Sequence, residues 1–375
     1  MNHSNVSDWV KVIHTLGEEF ASRAETHDES DTFVSDNYMA LKERRVFSAA
    51  IPEELGGGGA SHREISDMLR TLAQYCGSTA LALSMHQHLI AAAVWKYRRG
   101  QGGEAMLKSV AEKQLVLVST GAGDWLESNG SMTKTEGGYL VSARKHFASQ
   151  SVVGDMLVTS APFMDEVLHF AVPMNAAGVS VLNDWRTLGM RGTGSHTVKL
   201  ENVFIPDAAI VLRRPRGAYH PVWNVVLTVA MPLIMSVYVG IAQKAAQLTI
   251  GHVRRRKNAR PQVPSMIGEM NNDLVSAQIQ LDDMLRIASN YDFEAIDENG
   301  HDILTRKSNV ANAAIRVVTK AMEIVGGEGF FRSFGLERLF RDVQGARYHP
   351  LPESEQIKFR ASIYCGIRER VPIVT

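Results

Sequence analysis

The stretch Lys320-Ala-Met-Glu-Ile-Val-Gly-Gly-Glu-Gly-Phe-Phe331 runs an apolar helical pattern into Gly326-Gly327-x-Gly329, and Phe340-Arg341-Asp342 follows shortly after. Glycines at that place end a helix and let backbone approach a ligand closely. Working outward, residues 213–375 read as a helical bundle, with long apolar runs at Val225–Ala246, Ile267–Ile287 and Asn309–Val325. Arg213-Arg-Pro-Arg-Gly217 reads as the linker that precedes it.

Residues 114–212 have a different character. Leu115–Val118, Tyr139–Val141, Met156–Val158, Val167–Val172 and Val198–Ile205 are short β-branched segments separated by Gly, Asn and Asp turns, which predicts a β-barrel or sandwich. Residues 1–113 return to helical spacing. Val10, Ile13 and Leu16 mark a first amphipathic helix. Gly56 to Gly59 form a turn, and Ser61 caps a helix carrying Ile65, Met68, Leu69 and Leu72; Ser78-Thr79 opens another through Trp95. The expected fold is α+β and multidomain: an N-terminal helical domain, a central β-domain and a C-terminal four-helix bundle.

The 375 residues are 45% hydrophobic and 21% charged, with forty basic residues against forty acidic ones. That balance gives no net field to attract nucleic acid or an anionic membrane. Cys76 and Cys365 are too few and too isolated for a disulfide framework or a metal motif, and suit a reducing compartment. The N-terminus is polar, unlike a signal peptide, and no unbroken apolar run approaches ~18 residues, so a cytoplasmic enzyme without a membrane span is expected.

Lys145-His-Phe-Ala-Ser149 and Leu188-Gly-Met-Arg-Gly-Thr-Gly-Ser-His-Thr-Val-Lys-Leu-Glu-Asn-Val-Phe-Ile-Pro206 lie upstream of the glycine cluster. In this order the three segments resemble the acyl-CoA dehydrogenase family of flavoproteins, from about Phe47 to Arg370. The resemblance implies FAD, or FMN in the flavin monooxygenases that share the fold. It places Phe147 beside the flavin ring, with Ser149 and the backbone about Ala148 near its reactive nitrogen. Thr120 and Gly121, in Ser119-Thr-Gly-Ala-Gly123, take the place of the family's flavin-contacting turn. The basic cluster Arg254-Arg-Arg-Lys257 with Arg260 occupies the pyrophosphate-binding region, Arg254 among its candidates. Gly326, Gly327 and Gly329 resemble the adenine-side loop, and Glu323 stands where members often carry Gln.

Dehydrogenases of the family take the α-proton of an acyl thioester with a glutamate, because the base must be positioned and matched in pKa. Counting from Arg341-Asp342 puts Pro350 at that position, and the alternative position on the preceding helix holds Ala230. His349 is therefore the leading acid–base candidate and Glu353 the reserve. Tyr348-His349-Pro350 resembles the histidine loop of the monooxygenases, and His86 lies near their second pocket histidine, although packing within an N-terminal helix accounts for it equally well. Tyr348 joins His86 as a pocket candidate. Two functions follow: dehydrogenation of an acyl thioester such as an acyl-CoA, with an electron-transfer flavoprotein as partner, or hydroxylation with reduced flavin from a flavin reductase. The apolar helices need other helices or subunits to cover them, and the resemblance implies a homotetramer.

Overall fold

The computed structural model describes residues 8–121, 124, 127–256, 261–350 and 352–365. Among the described residues five α-helices come first: α1 (Asp8–Ser30), α2 (Ser35–Glu43), α3 (His62–Tyr75), α4 (Gly77–Arg98) and α5 (Glu104–Lys113). The predicted cap of α3 is present as a reciprocal box: Ser61 accepts from the Glu64 amide, and the Glu64 carboxylate accepts from the Ser61 amide.

Among the described residues eight strands follow. One sheet has the order β1 (Leu117–Ser119), β4 (Met156–Phe163), β5 (Glu166–Pro173), β8 (Ile210–Pro215); the other has β2 (Ser131–Thr135), β3 (Gly138–Ala148), β7 (His196–Pro206), β6 (Val179–Val181). β1 and β4 pair in parallel, and the other pairings of these strands are antiparallel. Inward residues of both sheets, among them Val118, Leu157, Leu168, Phe170, Val141, Val198 and Leu200, form one apolar layer, so the domain is a sandwich and not a closed barrel.

The expected linker at Arg213–Gly217 is partly strand. Arg213, Arg214 and Pro215 extend β8 and pair with Leu168, Val167 and Glu166 of β5. Two arginines read as polar loop, yet Arg214 is 1% exposed: its guanidinium lies over the Trp223 ring at 4.9 Å and donates to His169 Nε2 at 2.9 Å. Stacking on an aromatic face lets a planar cation leave water at lower cost.

The C-terminal bundle holds α6 (Val222–Arg255), α7 (Val263–Ala288), α8 (Asp297–Val325), α9 (Leu336–Val343) and α10 (Glu353–Tyr364). α6 is long and apolar enough by composition to cross a membrane, but 94% of its most apolar window is buried within the chain. It packs against α3, α4, α7 and α8, which explains why it has so little polar face.

Several histidines are buried in this helical core. His86 is fully enclosed: its Nε2 donates to the Phe47 carbonyl at 2.8 Å, and its Nδ1 accepts from the Leu117 amide at 3.0 Å. That pins α4 to the loop after α2 and to β1. Burial lowers His62, His86 and His88 to about 4 from 6.5. Each is neutral when folded and takes a proton when unfolded, so stability present above pH 6.5 is lost as pH falls toward 4, by up to about 3 kcal/mol per histidine. Melting curves between these limits should show a steep fall in Tm, and His86→Gln should make the slope shallower; a flat profile would contradict this account.

Candidate functional site

The register between β3 and β7 slips between Lys145 and Ala148, so His146 and Phe147 bulge out of the ladder. Phe147 is 63% exposed and meets Trp185 edge-on at 5.7 Å between ring centroids. His146 Nδ1 lies 2.8 Å from Thr197 Oγ1, and the Thr197 hydroxyl donates to Asp184 Oδ2 at 2.5 Å. With its proton committed to Asp184, Thr197 can only accept from His146, so Nδ1 carries the histidine's proton.

The residues behind the bulge are fixed. Lys145 is fully buried and donates to Asp124 Oδ1 at 2.9 Å, Ser128 Oγ at 3.2 Å and the Asn129 carbonyl at 3.0 Å. Thr120 donates to the other oxygen of Asp124. The Gly121 amide donates to the His146 carbonyl at 2.8 Å, and a Cβ there would lie 2.4 Å from that same oxygen, so the turn requires glycine. Thr120, Gly121, Phe147 and Ser149 are thus brought together. The rest of the expected turn, Ala122 and Gly123, lies outside the described residues.

Ser149 Oγ is 2.8 Å from Ser195 Oγ, which is 2.7 Å from Thr193 Oγ1, and Thr193 donates to the Met190 carbonyl at 2.9 Å. Because Thr193's proton is used, the order is set: Ser195 donates to Thr193 and Ser149 donates to Ser195, along a hydroxyl chain ending at Met190, so the Ser149 oxygen can only accept from a further group. Met190 is held from the bundle. Its amide donates to Asp342 Oδ1 at 2.5 Å, while Arg341 donates to the Leu188 carbonyl at 3.1 Å and pairs with Asp28 and Glu337. Between these contacts Gly189 passes so close that a Cβ would lie 2.4 Å from the Arg341 carbonyl. In the sequence Arg341-Asp342 is only a marker for counting along the loop; in the fold the pair grips the turn that carries the hydroxyl chain.

His349 lies in the loop that leaves α9, and its Nε2 is 2.5 Å from the hydroxyl of Tyr238, a fully buried residue of α6. Burial, with the nearby Lys307 charge, lowers His349 to about 3, and burial raises Tyr238 well above 10. Both are neutral; in the tautomer in which the tyrosine donates to Nε2, the proton of His349 is on Nδ1. Tyr238 carries no sequence signal, because Val237-Tyr-Val239 reads as packing. Tyr348 is 79% exposed, Pro350 is half-buried and Ala230 is buried, so neither expected base position carries an ionisable group. Glu353 opens α10 and accepts from Asn312 at 3.0 Å.

The remaining candidates form a separate neighbourhood. At Gly326 and Gly327 an added Cβ would meet nothing within 4 Å, so the backbone there is uncovered, whereas Gly329 packs on Val325 and Leu336. Glu323 is paired with Lys320 at 2.9 Å, Arg254 is exposed near the end of α6, and Arg256 pairs with Glu328. Lys257 and Arg260 lie outside the described residues. His86, with both ring nitrogens engaged in the core, has none left for a ligand.

These surfaces suit a flavin. The exposed Phe147 and the half-buried Trp185 offer an aromatic wall for a planar ring, the Ser149 oxygen lies beside it as an acceptor, and the uncovered Gly326–Gly327 backbone offers amides.

The profile described as "Acyl-CoA dehydrogenase, N-terminal domain" matches residues 11–113, and that described as "Acyl-CoA dehydrogenase, C-terminal domain" matches 222–349. The chain belongs to the acyl-CoA dehydrogenase family and is a flavoprotein enzyme of that fold. It is 26% identical to YdbM of Bacillus subtilis (strain 168), provisionally named an acyl-CoA dehydrogenase, over 91% of this chain and 92% of that protein. It is 26% identical to L-evernosamine nitrososynthase of Micromonospora sp., over 90% and 84%. The structure of KijD3 in complex with FMN and dTDP-3-amino-2,3,6-trideoxy-4-keto-3-methyl-D-glucose superposes with a TM-score of 0.87 at 24% identity, covering 98% of this chain and 96% of that one; this likeness is one of fold.

The Asp342 contact is open to direct test. Burial raises its carboxyl from 3.8 to about 6, against the Met190 amide that lowers it. Its contribution to stability is therefore present below pH 3.8 and lost as pH rises through about 6. Asp342→Ala should cost about 1–3 kcal/mol by stranding the Met190 amide. Asp342→Asn keeps an oxygen acceptor and removes the charge. Its stability relative to wild type in urea denaturation should rise as pH increases from about 4 through 6; an unchanged difference across that range would contradict the assignment.

Proposed function

We propose that this chain is a flavin-dependent oxygenase acting on a small molecule, with reduced flavin supplied by a separate reductase. The observation that carries this reading is the replacement of the family's carboxylate by Pro350 and Ala230, next to a neutral His349 bonded to Tyr238. Thioester dehydrogenation needs a carboxylate of matched pKa at the α-carbon, and neither usual place supplies one. The nitrososynthase relative and the FMN and amino-sugar nucleotide held by KijD3 support the same direction, and suggest an amine-bearing substrate.

In this reading the flavin, FMN or FAD, supplies the redox chemistry when bound. Phe147 and Trp185 flank its ring. The Ser149 oxygen would accept a hydrogen bond from an N–H of the flavin ring and the Ala148 amide would donate one to it, with the hydroxyl chain through Ser195 and Thr193 fixing the serine's orientation. Thr120 and Gly121 border the same face, while Gly326, Gly327, Gly329, Glu323 and Arg254 are the candidates for the far end of an FAD. His349 acts as a neutral imidazole: Tyr238 holds Nε2, and Nδ1–H is the group that donates to the substrate or passes it a proton. Tyr348 borders the pocket. A homotetramer remains our proposal for the assembly, supported by exposed Phe330 and Phe331 next to the uncovered glycine backbone.

A second reading keeps dehydrogenation of an acyl thioester, with Glu353 as base and an electron-transfer flavoprotein as acceptor. It is favoured by YdbM and by the hydrogen bond that orients Glu353 from Asn312.

The two readings separate on mixing. The flavin-loaded protein should keep its oxidised spectrum when mixed anaerobically with a panel of acyl-CoAs, and should support substrate-dependent product formation with NADH, a flavin reductase and oxygen. Bleaching by an acyl-CoA would instead establish dehydrogenation. His349→Ala should lower turnover by roughly 10²-fold with flavin affinity little changed. Full activity in His349→Ala together with loss in Glu353→Gln would move the proton-handling role to the carboxylate.

A further inference from the structure

A groove of about 640 Å³ lies over β3 and β7, beside the turn that leads into β2. Arg144 and Lys199 both line it and stand directly opposite each other in the β3–β7 ladder. Like charges at such a position repel and weaken the sheet. Lys199 has a partner in Glu201, at 2.6 Å, but an exposed pair of this kind is weak and yields readily to another anion. The exposed Arg144 guanidinium has no hydrogen bond or ion pair among the described residues. Asn202, also on the groove, donates its backbone N–H to Ser142 Oγ at 3.0 Å, and its Oδ1 accepts from that hydroxyl at 3.3 Å. Its side-chain NH2 is left to donate. His146 lines the groove next to Phe147 in the bulge. Its Nδ1–H is committed to Thr197, so Nε2 remains as an acceptor.

We propose that this groove binds a small organic phosphate, with the phosphoryl group between Arg144 and Lys199 and a hydroxyl or amine of the organic part donating to His146. A phosphate monoester carries about −1.5 to −2 charges at neutral pH and three strong acceptor oxygens. It can therefore meet both cations and the Asn202 NH2 together, whereas a carboxylate has too little charge and too few oxygens for all three. The planar Arg144 guanidinium suits two oxygens of one phosphoryl group. Bound between the strands, that group turns the repulsion of Arg144 and Lys199 into a bridge. The volume is that of a small-molecule site and leaves room for much more than a phosphate ion. Binding here calls on neither oxygen nor a change in the flavin, so it stands or falls apart from the reaction catalysed.

Isothermal titration of the whole flavin-loaded chain with glucose 1-phosphate, at constant ionic strength, tests this, with inorganic phosphate and glucuronate as comparisons. Loading with flavin keeps the probe out of the cofactor's own phosphate positions. Glucose 1-phosphate should bind saturably and more tightly than either comparison, because phosphate leaves most of the groove empty and glucuronate brings a carboxylate instead. Arg144→Gln, at an exposed position that does not burden folding, should weaken binding by about 10-fold or more. Glu201→Gln should tighten it, because it frees Lys199. Absence of saturable glucose 1-phosphate binding, an affinity unchanged by Arg144→Gln, or tighter binding of inorganic phosphate or glucuronate would each overturn the proposal.

Discussion

The grip of Arg341 and Asp342 on the turn at Leu188–Met190 is the constraint on which the site depends. Asp342 is 4% exposed and reaches 152 residues back along the chain to accept from the Met190 amide. Arg341 holds the Leu188 carbonyl from the other side and is itself anchored by Asp28 and Glu337. Three segments distant in sequence are therefore fixed to one another: α1, the turn before β7, and α9. The hydroxyl chain from Met190 through Thr193 and Ser195 to Ser149 inherits its position from that grip. So does the loop that carries His349, which leaves the same helix. A buried carboxylate with a raised pKa costs stability; here the cost is borne at the joint between sandwich and bundle, where an apolar contact would not fix direction.

The second requirement is a rigid backing for an exposed aromatic bulge. Phe147 projects from β3 because the ladder slips there, and a bulge alone would be free to move. Lys145 prevents this from beneath through three hydrogen bonds to one short segment. The buried cation is tolerable because Asp124 neutralises it and because the remaining ammonium protons all find oxygen. Arg214, also buried, solves the same problem differently, with an aromatic face and a neutral histidine. The site is thus polar behind and apolar in front, which suits a flat conjugated ligand whose edges need hydrogen bonds.

Much of the architecture was legible because it depends on periodicity. The changes of pattern near Gln114 and Val222 fall within a few residues of β1 and at the start of α6, and the Ser61 cap could be named because its chemistry is local. What was hidden depends on tertiary burial. Arg213 and Arg214 read as linker because charge suggests solvent, and nothing local announces Trp223 beneath. Tyr238 sits among valines and reads as core until its hydroxyl is seen to meet His349. Met132 and its neighbours in β2 show no alternation strong enough to mark a strand. The candidate site was legible where a motif carries it, at Phe147 and Ser149. It was illegible where partners come from segments far apart, as Ser195, Asp184 and Asp342 do.

The central claim is that the grip at Met190 sets the Phe147 and Ser149 face of the sandwich and the His349 loop of the bundle around one flavin. A crystal structure of the flavin-loaded protein tests it most directly. The account predicts the flavin ring against Phe147, with Ser149 within hydrogen-bonding distance and His349 bordering the open face of the ring. A flavin bound away from Phe147, or a His349 loop that does not border the ring, would contradict it.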